Sequence, residues 1–507
     1  MPRYKPQERH SLLLPVVLSE QIIPGSFAFA LDYLVDHELD LSAMDAKFKN
    51  DEVGASAYDP RVMLKLVLLA YSQGMISSRA IECACARNIQ FIAISGDSQP
   101  SHAHVAKFVS HLGDQIKPLF AQVLMTCDAQ GLIGREMFAI DGVKLPSNAS
   151  KERSGSFEEL RHRAERLEKA ADKIVDLHQA QDNATQEQPL EAKRQARIEA
   201  LRKEAQRTRE FLASNSPRLN RKGQELKTNI TDSDSAKMAT SKGVIQGYAA
   251  QAAVDNAHQI IVAADVIGSG SEQAMLLPLI KQTGAYRQPH TLITADAGYH
   301  SDANMAELMR QVVPALIADN QMRNRDERFA DQGRHKPQHD VLYDKRPTGL
   351  RKSIAIYAAS DFTFLSDKQA RCPQGKLLTG NGTVYRVKDD LRLQYKARTE
   401  DCEACQKREY CMRQPQPGKS RTVTQTTRSQ SPEDNPSARM RCAIDSTRGR
   451  AMYSQRIGTV EPVFGNIRHN KRLNRLNLRG KDKVNAQWHL FCMVHNIEKL
   501  ANSGWRQ

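Results

Sequence analysis

Two short segments each combine an apolar run, a single carboxylate and a nearby glycine: Ile140-Asp-Gly-Val-Lys144 and Thr294-Ala-Asp-Ala-Gly-Tyr299. Met137 to Asp141 and His290 to Asp296 each read as a strand with the acid at its end. A lone charge there is poor packing but suits a metal site, because glycine lets other groups approach closely. Two such acids on neighbouring strands, Asp141 and Asp296, can share Mg²⁺ or Mn²⁺. Mg²⁺ is a hard cation that takes a few carboxylates, water and phosphate oxygens. Two ions roughly 3.5–4 Å apart would activate an attacking oxygen and stabilise a leaving one at a phosphodiester. For either Asp taken alone, a turn or cap residue is the simpler account.

A third acid, Glu461, lies in Thr459-Val-Glu-Pro-Val-Phe-Gly465. Either Thr459 caps a helix with Pro462 in its first turn, or a helix begins near Tyr453 and kinks at the proline. In both cases Glu461 and Arg468 are two turns apart and share a face, which sets a metal-binding acid beside a phosphate-binding base. Lys471, Arg472, Arg475, Arg479, Lys481 and Lys483 follow. This basic run reads as a phosphate-tracking surface in preference to a solvated face. The whole chain supports that choice. It has 507 residues, 73 Lys+Arg against 58 Asp+Glu, and a formal net charge of +15. Such an excess favours a polyanionic partner, and nucleic acid suits it better than a membrane. The longest apolar run, Met63 to Tyr71, is broken by Lys65 and falls far short of the ~20 residues a bilayer requires.

Nine cysteines are present. The count is odd and no secretory signal precedes them, so a reducing cytoplasm is the expectation and clustered thiols read first as metal ligands. Cys402, Cys405 and Cys411 are close together, and Cys372, in Cys372-Pro-Gln-Gly375, can supply a fourth thiolate for tetrahedral structural Zn²⁺. Free thiols are the alternative, and Cys442 is the spare ligand. Cys83, Cys85, Cys127 and Cys492 sit in apolar patterns and read as small buried hydrophobes.

The elements that must position these groups follow from periodicity. Residues 1–132 read as a helical N-terminal domain, a candidate DNA-binding module, with Asp59-Pro60 opening one helix and Pro100-Ser101 another. Residues 133–155 and 214–319 interleave strands and helices, which argues for an α/β core. Within them, Gly247 to Asp255 and Gln259 to Ala264 read as adjacent strands. Residues 156–213 carry near-heptad leucines and isoleucines in two stretches and read as an antiparallel helical hairpin, with its turn from Asp182 to Pro189. Residues 320–450 lose periodicity around the cysteine cluster; Asn320 to His339 reads as a loop and Gln416 to Ser437 as a polar, mobile stretch. Residues 451–507 return to helix, the last one strongly apolar. Thr231-Asp-Ser-Asp234 reads as structural.

At these residues the chain resembles bacterial insertion-sequence transposases of the DDE type, and most closely the IS-eleven-eighty-two-type family. The resemblance rests on Tyr58-Asp-Pro-Arg-Val-Met-Leu-Lys65 with Gly74-Met-Ile-Ser-Ser-Arg79, on Asp141-Gly-Val-Lys-Leu-Pro-Ser-Asn-Ala-Ser150, and on Ala295-Asp-Ala-Gly-Tyr-His300. It rests also on Val460-Glu-Pro-Val-Phe-Gly-Asn-Ile-Arg468 with Val494-His-Asn-Ile-Glu-Lys-Leu500. It implies an RNase H-like mixed sheet flanked by helices, carrying the helical hairpin and the cysteine-containing insertion. It further implies Mg²⁺-dependent cleavage at the ends of a mobile element and joining to target DNA, with Asp141, Asp296 and Glu461 as catalytic acids. Implied partners are double-stranded terminal inverted repeats, target DNA and a second copy of the chain; the implied setting is the bacterial cytoplasm, at the nucleoid. Tyr453, Arg456, Glu461 and Arg468 follow the family's Tyr, Arg, Glu, Lys order. One extra residue separates Arg456 from Glu461, and Arg468 replaces the lysine, keeping the charge but not the point-like ammonium. Two other outcomes share these residues: a nuclease that cuts without joining, and a decayed copy that only binds DNA.

Overall fold

The computed structural model describes residues 16–47, 56–181, 188–220, 223–240, 243–326, 328, 356–387, 390–412, 415–428 and 435–506. The chain divides into two compact units, one made of Met1–Asp319 with Ser446–Gln507, the other of Asn320–Asp445.

Among the described residues, the first unit begins with seven α-helices: α1 (Phe27–Tyr33), α2 (Ser42–Asp45), α3 (Pro60–Ser72), α4 (Ser78–Arg87), α5 (Ile89–Ser95), α6 (His102–His111) and α7 (Ile116–Ala129). Proline at the first position of α3 and the Asp59 carboxylate, which accepts from the Arg61 N–H at 2.7 Å, set where that helix starts. Lys65, the charge that breaks the apolar run, is buried and ion-paired with Asp32 and Asp36 at 2.7 and 2.6 Å.

Strand β1 (Met137–Pro146) is the centre of the sheet. After it come β2 (Ser154–Gly155), the long helices α8 (Phe157–Gln181) and α9 (Gln188–Ser214), β3 (Thr228–Asn229), β4 (Ala236–Thr240), β5 (Gly243–Asp255) and β6 (Ile261–Ile267). Next are α10 (Leu276–Gln282), β7 (Leu292–Ala295), α11 (Asp302–Arg310) and β8 (Ala315–Ile317). The sheet order is β4-β5-β1-β7-β8, and β6 shares the outer edge of β5 with β4. β5 runs antiparallel to both β1 and β6, whereas β1, β7 and β8 are parallel. β5 from Gln246 to Asp255 is buried throughout, as a central strand covered on both faces must be. Helices α8 and α9 pack through Ala171, Ile198 and Leu201, and Arg163–Glu204 and Arg209–Glu168 pair across them. The expected hairpin turn includes residues 182–187, which lie outside the described residues.

The second unit departs from the sequence reading. Where no periodicity was expected beyond the cysteines, a six-stranded antiparallel sheet forms. Its strands are β9 (Thr363–Ser366), β10 (Gln369–Arg371), β11 (Leu377–Gly380), β12 (Tyr385–Val387), β13 (Asp390–Ala397) and β14 (Thr422–Arg428), in the order β12-β13-β11-β10-β9 with β14 on β13. β14 lies inside the stretch read as polar and mobile; its alternate threonines are ladder residues against β13. Helices α12 (Thr399–Glu403) and α13 (Pro436–Asp445) complete this unit. Most of the expected Asn320–His339 loop lies outside the described residues.

The chain returns to the first unit in α14 (Thr447–Gly465), a wide turn at Asn466–Asn470, and α15 (Lys481–Asn502). α15 is buried almost all round from Val484 to Ile497, which makes it a core helix. It packs against β6, α1, α3, α6 and α7, so the helices before β1 share a core with the sheet and do not stand apart as a separate module. Asn496 brackets Ile261 with two hydrogen bonds of 2.9 Å, and the Trp488 indole donates to the Gln251 carbonyl at 3.0 Å. Thr231-Asp-Ser-Asp234 serves the start of α15. Asp232 accepts from the Tyr248 hydroxyl (2.6 Å) and the Gly480 N–H (3.1 Å), and Asp234 accepts from the Lys481 N–H (2.9 Å).

Asp232→Ala strands a buried tyrosine hydroxyl and a helix-end N–H, at a cost of about 2 kcal/mol. Asp234→Ala, at the exposed rim, costs under about 1 kcal/mol. Urea melts of both variants measure the difference, and equal midpoints for wild type and Asp232→Ala would show that this cap carries no stability.

Candidate active site

Parallel pairing of β1 with β7 sets Ile140 opposite Ala295, so the next residues, Asp141 and Asp296, are neighbours. The expected adjacency of two acids is present, with one difference. Asp141 does not end its strand, because β1 continues to Pro146 along β5 and only its pairing with β7 stops here. Asp296 does end β7 and caps the turn that follows, accepting from the Gly298 N–H at 2.9 Å. Asp141 accepts from the Gly142 N–H at 2.8 Å.

Each glycine makes room for a particular group. A Cβ on Gly142 would overlap the side-chain amide of Gln251, which crosses over from β5. A Cβ on Gly298 would stand 2.8 Å from Glu272 Oε2 and 3.0 Å from Asp296 Oδ1, so those two oxygens face one small space. Glu272 was not identified from the sequence. It sits in the Ser/Gly-rich turn after β6, where no periodicity marks it. The nearest signal is the glycine after Asp296, which requires something to approach.

Arg456 and Tyr453 reach the acids from α14. The Arg456 guanidinium lies 3.2 Å from Asp141 Oδ2 and 5.7 Å from the centre of the Tyr453 ring. Burial holds the Asp141 carboxyl above its usual range, against the pull of Arg456, and the Asp296 charge adds to the rise. Burial also raises Glu272, followed by repulsion from Asp296, with Lys144 opposing. A partly buried group of acids short of positive charge fits a divalent cation, by charge and by its all-oxygen donors. Among the described residues, no group of three or more Asp, Glu, His or Cys side chains is placed to hold a metal ion.

Glu461 is placed differently from its neighbours. α14 begins at Thr447, with Ser446 as its cap, and runs straight through Pro462. Proline has no N–H for the Gly458 carbonyl, and the Gln259 side chain supplies one instead, at 3.2 Å. On this continuous helix Glu461 is exposed and makes no hydrogen bond or ion pair with another described residue. The wide turn after Gly465, closed by the Lys471 N–H on the Asn466 carbonyl at 2.9 Å, also shifts Arg468 out of the two-turn phase with Glu461.

The basic run divides. Lys471 is buried and its ammonium is held by Glu498 at 2.6 Å, so it braces the turn and does not face outward. Arg475 and Arg479 are exposed, and their Nε–H groups pin the loop after β1 through the Ser147 and Asn148 carbonyls, each at 3.0 Å. Arg472 is exposed and Arg468 half-buried.

In the second unit, Cys372, Cys402, Cys405 and Cys411 line one cavity of about 40 Å³, while Cys442 is exposed on α13. The Lys376 N–H donates to Cys372 Sγ at 3.3 Å and the Arg421 N–H to Cys402 Sγ at 3.4 Å. Such donors favour thiolates, but the four sulfurs do not stand close enough together in this structure to form a metal-holding group.

The raised carboxyl of Glu272 gives a pH signature. A raised carboxyl pKa costs folded-state stability only where the group ionises. The cost therefore appears as pH rises from the ordinary carboxylate range through the folded-state value. Glu272→Gln should stabilise metal-free protein at pH 7, with the gain vanishing near pH 4. Thermal melts at both pH values check this; a gain of equal size at both would show that ionisation is not its source.

Comparison with known proteins places these elements. Residues 16–111 match the family model described as a transposase domain (DUF772), which covers α1 to α6. Residues 371–501 match the one described as a transposase DDE domain, which covers the four cysteines, α14 with Glu461, and α15 up to Ala501. No curated protein is a significant match to the chain. No helix among the described residues is long and apolar enough to cross a membrane. The two matches support a transposase function, and with it action on DNA.

Proposed function

We propose that this chain is an insertion-sequence transposase of the IS-eleven-eighty-two type that cuts element ends and joins them to target DNA through metal-assisted phosphodiester chemistry. The observation that carries this reading is the placement of Asp141 and Asp296 side by side on parallel strands, with Arg456 at their carboxylates. A three-strand antiparallel meander continued by two parallel strands, with acids beside the central parallel pair, supports an RNase H-like core.

Asp141 and Asp296 would hold Mg²⁺ or Mn²⁺, which when bound supplies charge at the attacking and leaving oxygens. Water attacks the phosphorus at the element end and the P–O3′ bond breaks, with a water proton ending on the departing 3′-oxygen. The freed 3′-OH then attacks a target phosphorus, and the displaced target 3′-oxygen takes up the proton it loses. Tyr453 and Arg456 line the acids and would orient the scissile phosphate. Arg468, Arg472 and Arg475 would track flanking phosphates, and Lys471 would help by holding their turn in shape. Glu461 is the third acid of this proposal and would contribute its carboxylate in the DNA complex. Two element ends must be held together, which favours a homodimer on DNA, and the cytoplasm at the nucleoid is the setting that goes with that substrate. The four cysteines would hold one structural Zn²⁺.

The test is cleavage of DNA bearing the repeats that flank the chain's own gene, with Mg²⁺ or Mn²⁺. Asp141→Asn, Asp296→Asn and Glu461→Gln should each lose about 100-fold or more of the cutting rate. Cutting unaffected by the two aspartate changes would sink the proposal. Cutting without joining would leave a nuclease, and specific binding without cutting a decayed copy.

Freshly purified protein should contain about one zinc per chain, and Cys402→Ser should release it. A zinc-free wild type would assign these thiols to packing alone.

A further inference from the structure

Glu272 takes no part in the acid set assigned above, yet the fold holds it at that set more firmly than Glu461. Two hydrogen bonds clamp its turn to the turn after Asp296: Asn304 Nδ2 donates to the Gln273 carbonyl at 2.8 Å, and Gln273 Nε2 donates to the His300 carbonyl at 2.9 Å. The same Asn304 amide also donates to the Tyr299 carbonyl at 2.8 Å. Glu272 Oε2 and Asp296 Oδ1 converge on the space above Gly298.

A second observation points the same way. Gln251 is fully buried on β5, with its amide laid over Gly142 beside Asp141. Its Oε1 accepts from the buried Tyr299 hydroxyl. Its Nε2 favours the Glu272 charge, yet this buried donor has no full hydrogen-bond partner among the described residues. Leaving a donor unpaired in a dry core is unfavourable. A site that needs its carboxylate oxygens for another ligand accounts for it.

We propose that Glu272 is a metal-contacting carboxylate, sharing a divalent cation with Asp296 in the DNA-free protein. This rests on the reading of Asp141 and Asp296 as metal-holding acids. Glu272 and Asp296 both present hard oxygens, as Mg²⁺ and Mn²⁺ require, and Gln251 positions them from beneath. Glu461, exposed on α14, takes no part in this DNA-free complex.

The experiment is Mn²⁺ titration of the full-length protein without DNA, read by the electron paramagnetic signal of free Mn²⁺. Glu272→Gln should weaken binding by about tenfold or more, while Glu461→Gln should bind as wild type does. Wild-type affinity in Glu272→Gln, with loss in Asp296→Asn, overturns the proposal and leaves the two-aspartate reading standing. Wild-type affinity in Asp141→Asn and Asp296→Asn as well overturns that reading too. Circular dichroism checks the fold of each variant. Were Glu272→Gln not to fold, Glu272→Asp, which retracts the carboxylate by one methylene, takes its place with the same drop expected.

Discussion

Holding two carboxylates side by side in a partly dry sheet is the constraint that the rest of the first unit serves. Like charges at that spacing repel, and burial makes each costlier. The parallel register of β1 and β7 forces the contact, since Ile140 opposite Ala295 leaves Asp141 and Asp296 no other place. What surrounds them offsets the repulsion: the Arg456 guanidinium and backbone N–H groups from Gly142 and Gly298. The strain that remains is what a cation of charge two would relieve.

That arrangement depends on α15 as much as on the strands. A helix buried on every side has no solvent-facing stripe and must satisfy its polar groups internally. Trp488, Asn496 and His495 each bond the backbone of the β5–β6 hairpin. Burial lowers the His495 pKa to about 4, so the ring is neutral near pH 7, consistent with one nitrogen donating to the Gln259 carbonyl and the other accepting from Asn466. The first helices, the sheet and the site are thus one cooperative body, with the last helix as its axle.

Much of this was legible in the sequence. Asp141 and Asp296 stand out because a charge interrupts an apolar strand beside a glycine, and β5 with β6 follow from their apolar runs. Asp232 and Asp234 read as structural, and they are the acceptors at the head of α15. Glu272 was hidden because its position is set by a turn-to-turn clamp between segments far apart in sequence. Gln251, its support, looks like a polar slip in an alanine-rich strand. The second unit was hidden for another reason. Several of its strands are three or four residues long, too short for alternation to register, and polar residues fill the ladder. The face of Glu461 followed from neither spacing nor composition, since it depends on where α14 begins and on a wide turn after it.

Gln259 has a consequence beyond its size. It adopts a left-handed backbone, φ 62°, at the tip of the β5–β6 turn. Its side-chain nitrogen caps the Gly458 carbonyl freed by Pro462, its side-chain oxygen takes the Lys499 ammonium, and its own carbonyl takes His495. One residue therefore fastens α14 and α15 to the same corner, at a fixed point between Arg456 and Glu461. Before that point Arg456 meets Asp141, and after it Val460, Val463 and Phe464 are buried, with Phe464 stacked on Trp488, so α14 is anchored on both sides of its broken ladder while Glu461 faces out.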